Sequence, residues 1–106
     1  MAAEGLEELY LEARYACTAL QQRLRGHPAY DALGEALRIL CGELRGLLQA
    51  SGRDRVTRPF PRELLGKPMG ELLSRCRGAA EELAARGSRA ARLLLEALGA
   101  VEREAA

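Results

Sequence analysis

Few side chains in this sequence could do covalent or metal chemistry. The 106 residues include one histidine, His27, and three widely spaced cysteines, Cys17, Cys41 and Cys76. A serine or cysteine nucleophile needs a base beside it, usually histidine, and no cysteine lies near His27 in sequence. One histidine and scattered thiols cannot complete a zinc shell. The sequence therefore predicts no catalytic residues, no metal site and no cofactor.

Motifs for other kinds of catalysis are also missing from the sequence. It contains neither of the glycine-rich loops GxxxxGK[ST] and GxGxxG that hold phosphates. It also has no Glu-x-x-His pair for a diiron site inside a helical bundle. We therefore expect a protein that is not an enzyme. The alternative is a helical enzyme with an Arg/Glu pocket between its helices.

The basic segment 53–67 is the best candidate for binding a polar ligand. Five basic residues stand against two acidic ones there, a net charge of +3. Guanidinium groups suit phosphate and carboxylate partners, so an alternative function is nucleic-acid or anionic-ligand binding. The residues that would bind the anion are Arg53, Arg55, Arg58, Arg62 and Lys67. The other interpretation is a solvated linker, which Phe60, Leu64 and Leu65 hold over the end of a bundle.

Composition favours an all-α fold. Leu and Ala dominate the apolar residues, only 4% of residues are aromatic and Trp is absent. Strands are rich in β-branched and aromatic residues, whereas Leu, Ala, Glu and Arg all favour helices. The formal net charge of +1 gives no strong overall attraction to nucleic acid or to a membrane.

Apolar residues recur with helical periodicity along the chain. They predict a single domain of four helices, at about 6–25, 30–50, 68–86 and 89–104, with a short helical turn at 62–65. Gly26 and Pro28 end the first helix, and Ser88 is a candidate N-cap for the fourth. The predicted fold is two antiparallel helical hairpins joined by a Pro/Arg-rich linker, 52–67, and packed as a four-helix bundle.

The number and spacing of the cysteines indicate the cellular compartment of the protein. Their odd number and the lack of a CxxC motif argue against a disulfide framework, so all three are predicted to be free and mostly buried. That pattern indicates an intracellular protein, cytoplasmic or nuclear. The sequence shows no signal peptide, and no apolar run approaches the ~18 residues that a membrane span needs.

Some apolar residues lie off the main apolar stripe of their helix. The sequence places Leu11, Tyr15 and Ile39 in this class, while Leu93 and Leu95 widen the stripe of the fourth helix. A second apolar face implies a second neighbour, either another helix of this chain or another protein. We expect these five residues to bind a partner.

The function predicted from these patterns is protein binding. A small helical module of this kind serves as an adaptor, an assembly factor or a subunit of a larger complex, by burying apolar helix faces. The partner is another protein or a second copy of the chain, and no membrane is involved. The basic linker would add electrostatic steering.

Overall fold

Four α-helices and one short 3₁₀ helix make up the fold in a computed structural model of the chain. The α-helices are α1 (Ala2–Arg23), α2 (Pro28–Ala50), α3 (Met69–Ala85) and α4 (Arg89–Ala105), and the 3₁₀ helix is Arg62–Gly66. The structure describes residues 2–50, 52 and 59–105, with side chains over 5–50, 52 and 59–103. Within these ranges there is no strand and the helices pack on one another, so the predicted all-α bundle of two hairpins is confirmed.

The turn between α3 and α4 ends one helix and starts the next within three residues. Gly87 adopts a φ of 95°, which glycine reaches without steric cost. The Ser88 N–H donates to the Leu83 carbonyl at 3.1 Å, as in a Schellman motif. The Ser88 hydroxyl then accepts from the Ala91 N–H at 3.1 Å. Ser88 is therefore the N-cap of α4, as the sequence predicts.

α1 and α3 pack side by side in opposite directions. At one end of the pair the Arg23 guanidinium donates to the Lys67 carbonyl at 2.6 Å, just before α3 begins. At the other end the Arg86 guanidinium, just after α3, lies beside Gly5. The start of α3 therefore lies at the same end of the bundle as the end of α1.

α2 and α4 form the other side of the bundle and also run in opposite directions. The Ser88 hydroxyl, at the start of α4, donates to Glu43 in the second half of α2, and Ala32 and Ile39 of α2 line one groove with Leu93 and Ala100 of α4. The helices therefore follow the order α1, α2, α4, α3 around the bundle. Because α2 ends and α3 begins at opposite ends, their connection joins the two ends of the bundle.

The described part of that connection, residues 59–68, lies along the side of α1. The 3₁₀ helix packs on α1, and Leu64 is buried. The Phe60 ring meets the Tyr15 ring edge-on, with 5.8 Å between centroids, a favourable aromatic geometry. Phe60 thus lies beside the middle of α1, whereas the Leu65 carbonyl accepts from Arg23 at the end of α1, at 3.4 Å, so the segment runs along α1 to the end of the bundle.

Apolar side chains fill the bundle interior. Leucine side chains from α1, α2, α3 and α4 are fully buried there, together with Cys17 and Cys76. The interior holds no buried Arg or Glu side chain within the described residues, where Ser88 is the buried polar residue. None of the described helices has both the length and the apolar character needed to cross a membrane.

The expectation that all three cysteines are free is wrong. Cys17 on α1 and Cys76 on α3 form a disulfide, with their Cα atoms 5.6 Å apart, a usual separation for such a bond. Cys41 remains free and is partly exposed. The helical pattern alone could not reveal this pairing, because it depends on α1 and α3 being neighbours. Cysteine usage therefore no longer supports an intracellular location.

We predict that protein purified without reductant and denatured in an alkylating agent has one reactive thiol per chain, that of Cys41. Reduction should raise the count to three. It should also lower the free energy of unfolding by up to about 4 kcal/mol, because the bond closes a long loop of 59 residues in sequence separation. Intact mass after alkylation measures the count. Three thiols before reduction would contradict the bond.

Candidate functional site

The outer surface between α2 and α4 carries a shallow groove, which we call the α2–α4 groove. It has a volume of about 430 Å³. Its lining residues are Ala32, Glu35, Ala36 and Ile39 from α2, and Leu93, Glu96, Ala97 and Ala100 from α4. The floor is made of alanines, so little side-chain volume separates the surface from the helix backbones.

Helical spacing explains why these residues share one groove. Residues three, four and seven apart lie on one face of a helix, and Ala32, Glu35 and Ile39 follow that spacing on α2. On α4 the same spacing joins Leu93, Glu96 and Ala100. The two stripes line the same groove on the outer surface between α2 and α4.

Two large apolar side chains stand exposed in this groove. Ile39 is 42% exposed and Leu93 is 45% exposed, whereas their neighbours Leu40 and Leu94 are fully buried. The sequence predicts both as partner-binding residues, and the structure brings them together from different helices. Leu95, predicted in the same set, is half-buried and packs against the core.

Leu11 and Tyr15 do not join this surface. Leu11 is buried, with 4% exposed, so the expectation that it offers a surface to a partner needs correction. Tyr15 is partly buried against Phe60 and the core. Both lie on α1, whose second apolar neighbour is the 3₁₀ helix and the residues around it.

The rim of the α2–α4 groove is charged. The Arg38 guanidinium binds both carboxylate oxygens of Glu35, at 2.6 and 2.7 Å. On α4, Glu96 is exposed, and so are Arg92 and Arg89, one and two turns before it. The α4 rim therefore changes from positive to negative along the helix.

A second cavity, the end groove, lies where α1 begins, α2 ends and α3 turns into α4. It has a volume of about 730 Å³, and its lining includes Leu6, Leu47 and Arg86. Leu47 is 48% exposed. Leu47 lies at the edge of the apolar stripe of α2, so the periodicity of the sequence does not reveal its exposure.

The predicted anion-binding residues are only partly placed. Arg53, Arg55 and Arg58 lie outside the described residues. Arg62 is exposed on the 3₁₀ helix. The Lys67 ammonium lies 3.7 Å from a carboxylate oxygen of Glu71, which offsets part of its charge.

The side chains with reactive groups, those of His27, Tyr10 and Cys41, make contacts within the fold. The His27 ring accepts at Nδ1 from the Ala29 N–H at 3.1 Å, at the start of α2. Tyr10 is buried beside Cys41, and its hydroxyl accepts from the Arg14 guanidinium at 2.8 Å. Burial and the nearby Cys41 raise the pKa of Tyr10, although Arg14 lowers it in part. Within the described part of the chain, no three His, Cys, Asp or Glu side chains cluster as metal ligands would.

Comparison of the chain with protein-family models, with curated proteins and with solved structures finds no match in any of the three.

We predict that the same substitution at two neighbouring leucines of α4 changes the stability by very different amounts. Leu94→Ala should lower the free energy of unfolding by about 2–5 kcal/mol, because it leaves a cavity in the core. Leu93→Ala should change it by less than about 0.5 kcal/mol, because Leu93 is largely exposed. Urea unfolding measures both. A comparable loss in Leu93→Ala would show that Leu93 is part of the core.

We predict that Tyr10 makes the fold sensitive to alkaline pH. Burial raises the pKa of Tyr10 in the folded state. The contribution of the neutral Tyr10 side chain to the free energy of unfolding is therefore complete below the unfolded-state pKa of about 10. The contribution is lost as pH rises through the folded-state pKa, since the unfolded chain then ionises more easily. Unfolding free energies at pH 9 and 11 should therefore differ less in Tyr10→Phe than in the wild type. Tyr30→Phe is the control, and equal differences in Tyr10→Phe and the wild type would contradict the prediction.

Proposed function

We propose that this protein is a small helical interaction module that binds another protein chain through the α2–α4 groove. In a larger complex it would serve as an adaptor, an assembly factor or a subunit. The observation that carries the proposal is the placement of exposed apolar residues. Among the described side chains, the large exposed apolar ones are Ile39, Leu47 and Leu93, and all three belong to α2 or α4.

The shape of the groove suits a helix or another ridge of protein. Burying exposed apolar area is the main favourable term in protein association, and Ile39 and Leu93 would each be buried on contact. The alanine floor lets a second backbone approach closely, while Glu35 and Glu96 at the rim can bind polar groups of a partner. This arrangement has the apolar centre and polar rim that protein interfaces share.

The opposite side of the bundle supports the assignment by contrast. There the Glu12, Glu71 and Arg75 side chains lie together between α1 and α3. On α1, the apolar side chains Leu11 and Tyr15 are buried or half-buried. This contrast favours α2 and α4 as the binding surface.

We predict that a photo-reactive amino acid at position 35, on the rim of the groove, forms a covalent adduct of defined mass in the native cell. The matched control position is Glu82 on α3, which is exposed. Glu82 lies one heptad after Arg75, whose guanidinium reaches Glu12 of α1 at 3.9 Å, so it belongs to the opposite side. We expect no adduct from position 82.

The double substitution Ile39→Glu and Leu93→Glu should abolish the adduct from position 35, because it places charge in the apolar centre of the contact. Circular dichroism should show unchanged helix content, since both side chains are exposed. Adducts of the same mass from both positions would contradict the proposal, and so would an adduct that survives the double substitution. The absence of any adduct from position 35 would also contradict it.

A further inference from the structure

We propose that the chain that occupies the α2–α4 groove is a second copy of this protein, related to the first by a two-fold axis that passes beside Ile39 and Leu93. This inference rests on the proposed function, because it names the partner of the same surface. Two features support it: the symmetry of the residues along α2, and the order of charges along α4.

Small residues are placed symmetrically about Ile39 along α2. Ala32 and Gly46, both exposed, lie seven residues before and after it, and the buried Ala36 and the exposed Gly42 lie three before and after it. If two copies of α2 cross in opposite directions at Ile39, Ala32 of each copy faces Gly46 of the other. A Cβ added at Gly42 or Gly46 would meet nothing within 4 Å in the single chain, so the space above these glycines is open to a second backbone.

The same axis pairs opposite charges on α4. Leu93 of one copy would meet Leu93 of the other. Glu96 lies about 4.5 Å beyond Leu93 along the helix and Arg89 about 6 Å before it, at 1.5 Å per residue. Reversing one copy therefore brings Glu96 level with Arg89 of the second copy. All three residues are exposed in the single chain, and the two-fold axis forms the ion pair twice.

The two-fold axis also places two acidic residues of α2, Glu35 and Glu43, level with each other. Each already has a partner within its own chain. Arg38 binds Glu35 through both carboxylate oxygens, and the Ser88 hydroxyl donates to Glu43. Their repulsion across the axis is therefore reduced, while the Glu96 and Arg89 pairs remain attractive.

The area of the surface that α2 and α4 form indicates how stable such a dimer is. The 17 residues of α4 give a length of roughly 25 Å, and two helices side by side give a width of roughly 20 Å. Each copy would bury roughly 500 Å², and the pair roughly 1,000 Å², which is near the lower limit for a specific interface. We therefore expect a reversible dimer whose population depends on protein concentration.

Charge-swap variants test both the dimer and its axis. Sedimentation equilibrium of the full chain at low salt should show a dimer in the wild type. Glu96→Arg alone places like charges together twice in its own dimer, and so does Arg89→Glu alone. Each variant should dimerise about tenfold more weakly than the wild type. An equimolar mixture of the two should recover dimer, because each variant then supplies the charge that the other needs.

Glu82→Arg on α3 makes the same change of charge as Glu96→Arg on the opposite side, and should leave the dimer unchanged. A wild-type chain that stays monomeric up to about 1 mM, where the association free energy would be weaker than about −4 kcal/mol, would overturn the inference. A mixture of the two variants that remains monomeric would overturn the two-fold arrangement. Neither result removes the proposed function if the adduct from position 35 contains a different protein, whereas the lack of any adduct removes the proposed function itself.

Discussion

The antiparallel pairing of α1 with α3 is the constraint on which the rest of the structure depends. It is held by the Cys17–Cys76 disulfide in the core, by Arg23 on the Lys67 carbonyl at one end and by buried leucines between the helices. Because α3 then begins where α1 ends, the chain has to reach α3 from the far end of α2. The described part of this connection packs on α1. One side of the bundle thereby becomes covered by the chain itself.

That asymmetry explains which apolar residues stay exposed. α1 is packed against α2, α3 and the 3₁₀ helix, and its off-stripe residues Leu11 and Tyr15 find neighbours within the chain. In the described part of the chain nothing comparable covers Ile39 of α2 and Leu93 of α4, which are more than two-fifths exposed. Exposed apolar residues that converge from two helices into one groove are typical of a surface that another protein buries. The function we propose follows from where the connection packs.

The sequence predicts the elements of this fold better than their arrangement. Apolar periodicity and the Gly87–Ser88 turn were enough to predict four helices in two hairpins. Periodicity states which face of a helix is apolar but not which neighbour covers that face. Leu11 and Ile39 have the same signature in the sequence, yet one is buried and the other exposed. The difference depends on which neighbours tertiary packing gives each helix. The Cys17–Cys76 disulfide could not be predicted for the same reason, because the sequence pattern does not say that α1 and α3 are neighbours.

Amide chemical shifts of the full chain, followed from micromolar to millimolar concentration, test the central claim most directly. Our account predicts that the shifts that change belong to residues 32–46 of α2 and 89–100 of α4, because these residues enter the contact as copies associate. Residues of α1 and α3 that lie away from those helices should keep their shifts. Changes centred on α1 and α3, or a spectrum that does not depend on concentration, would contradict the account.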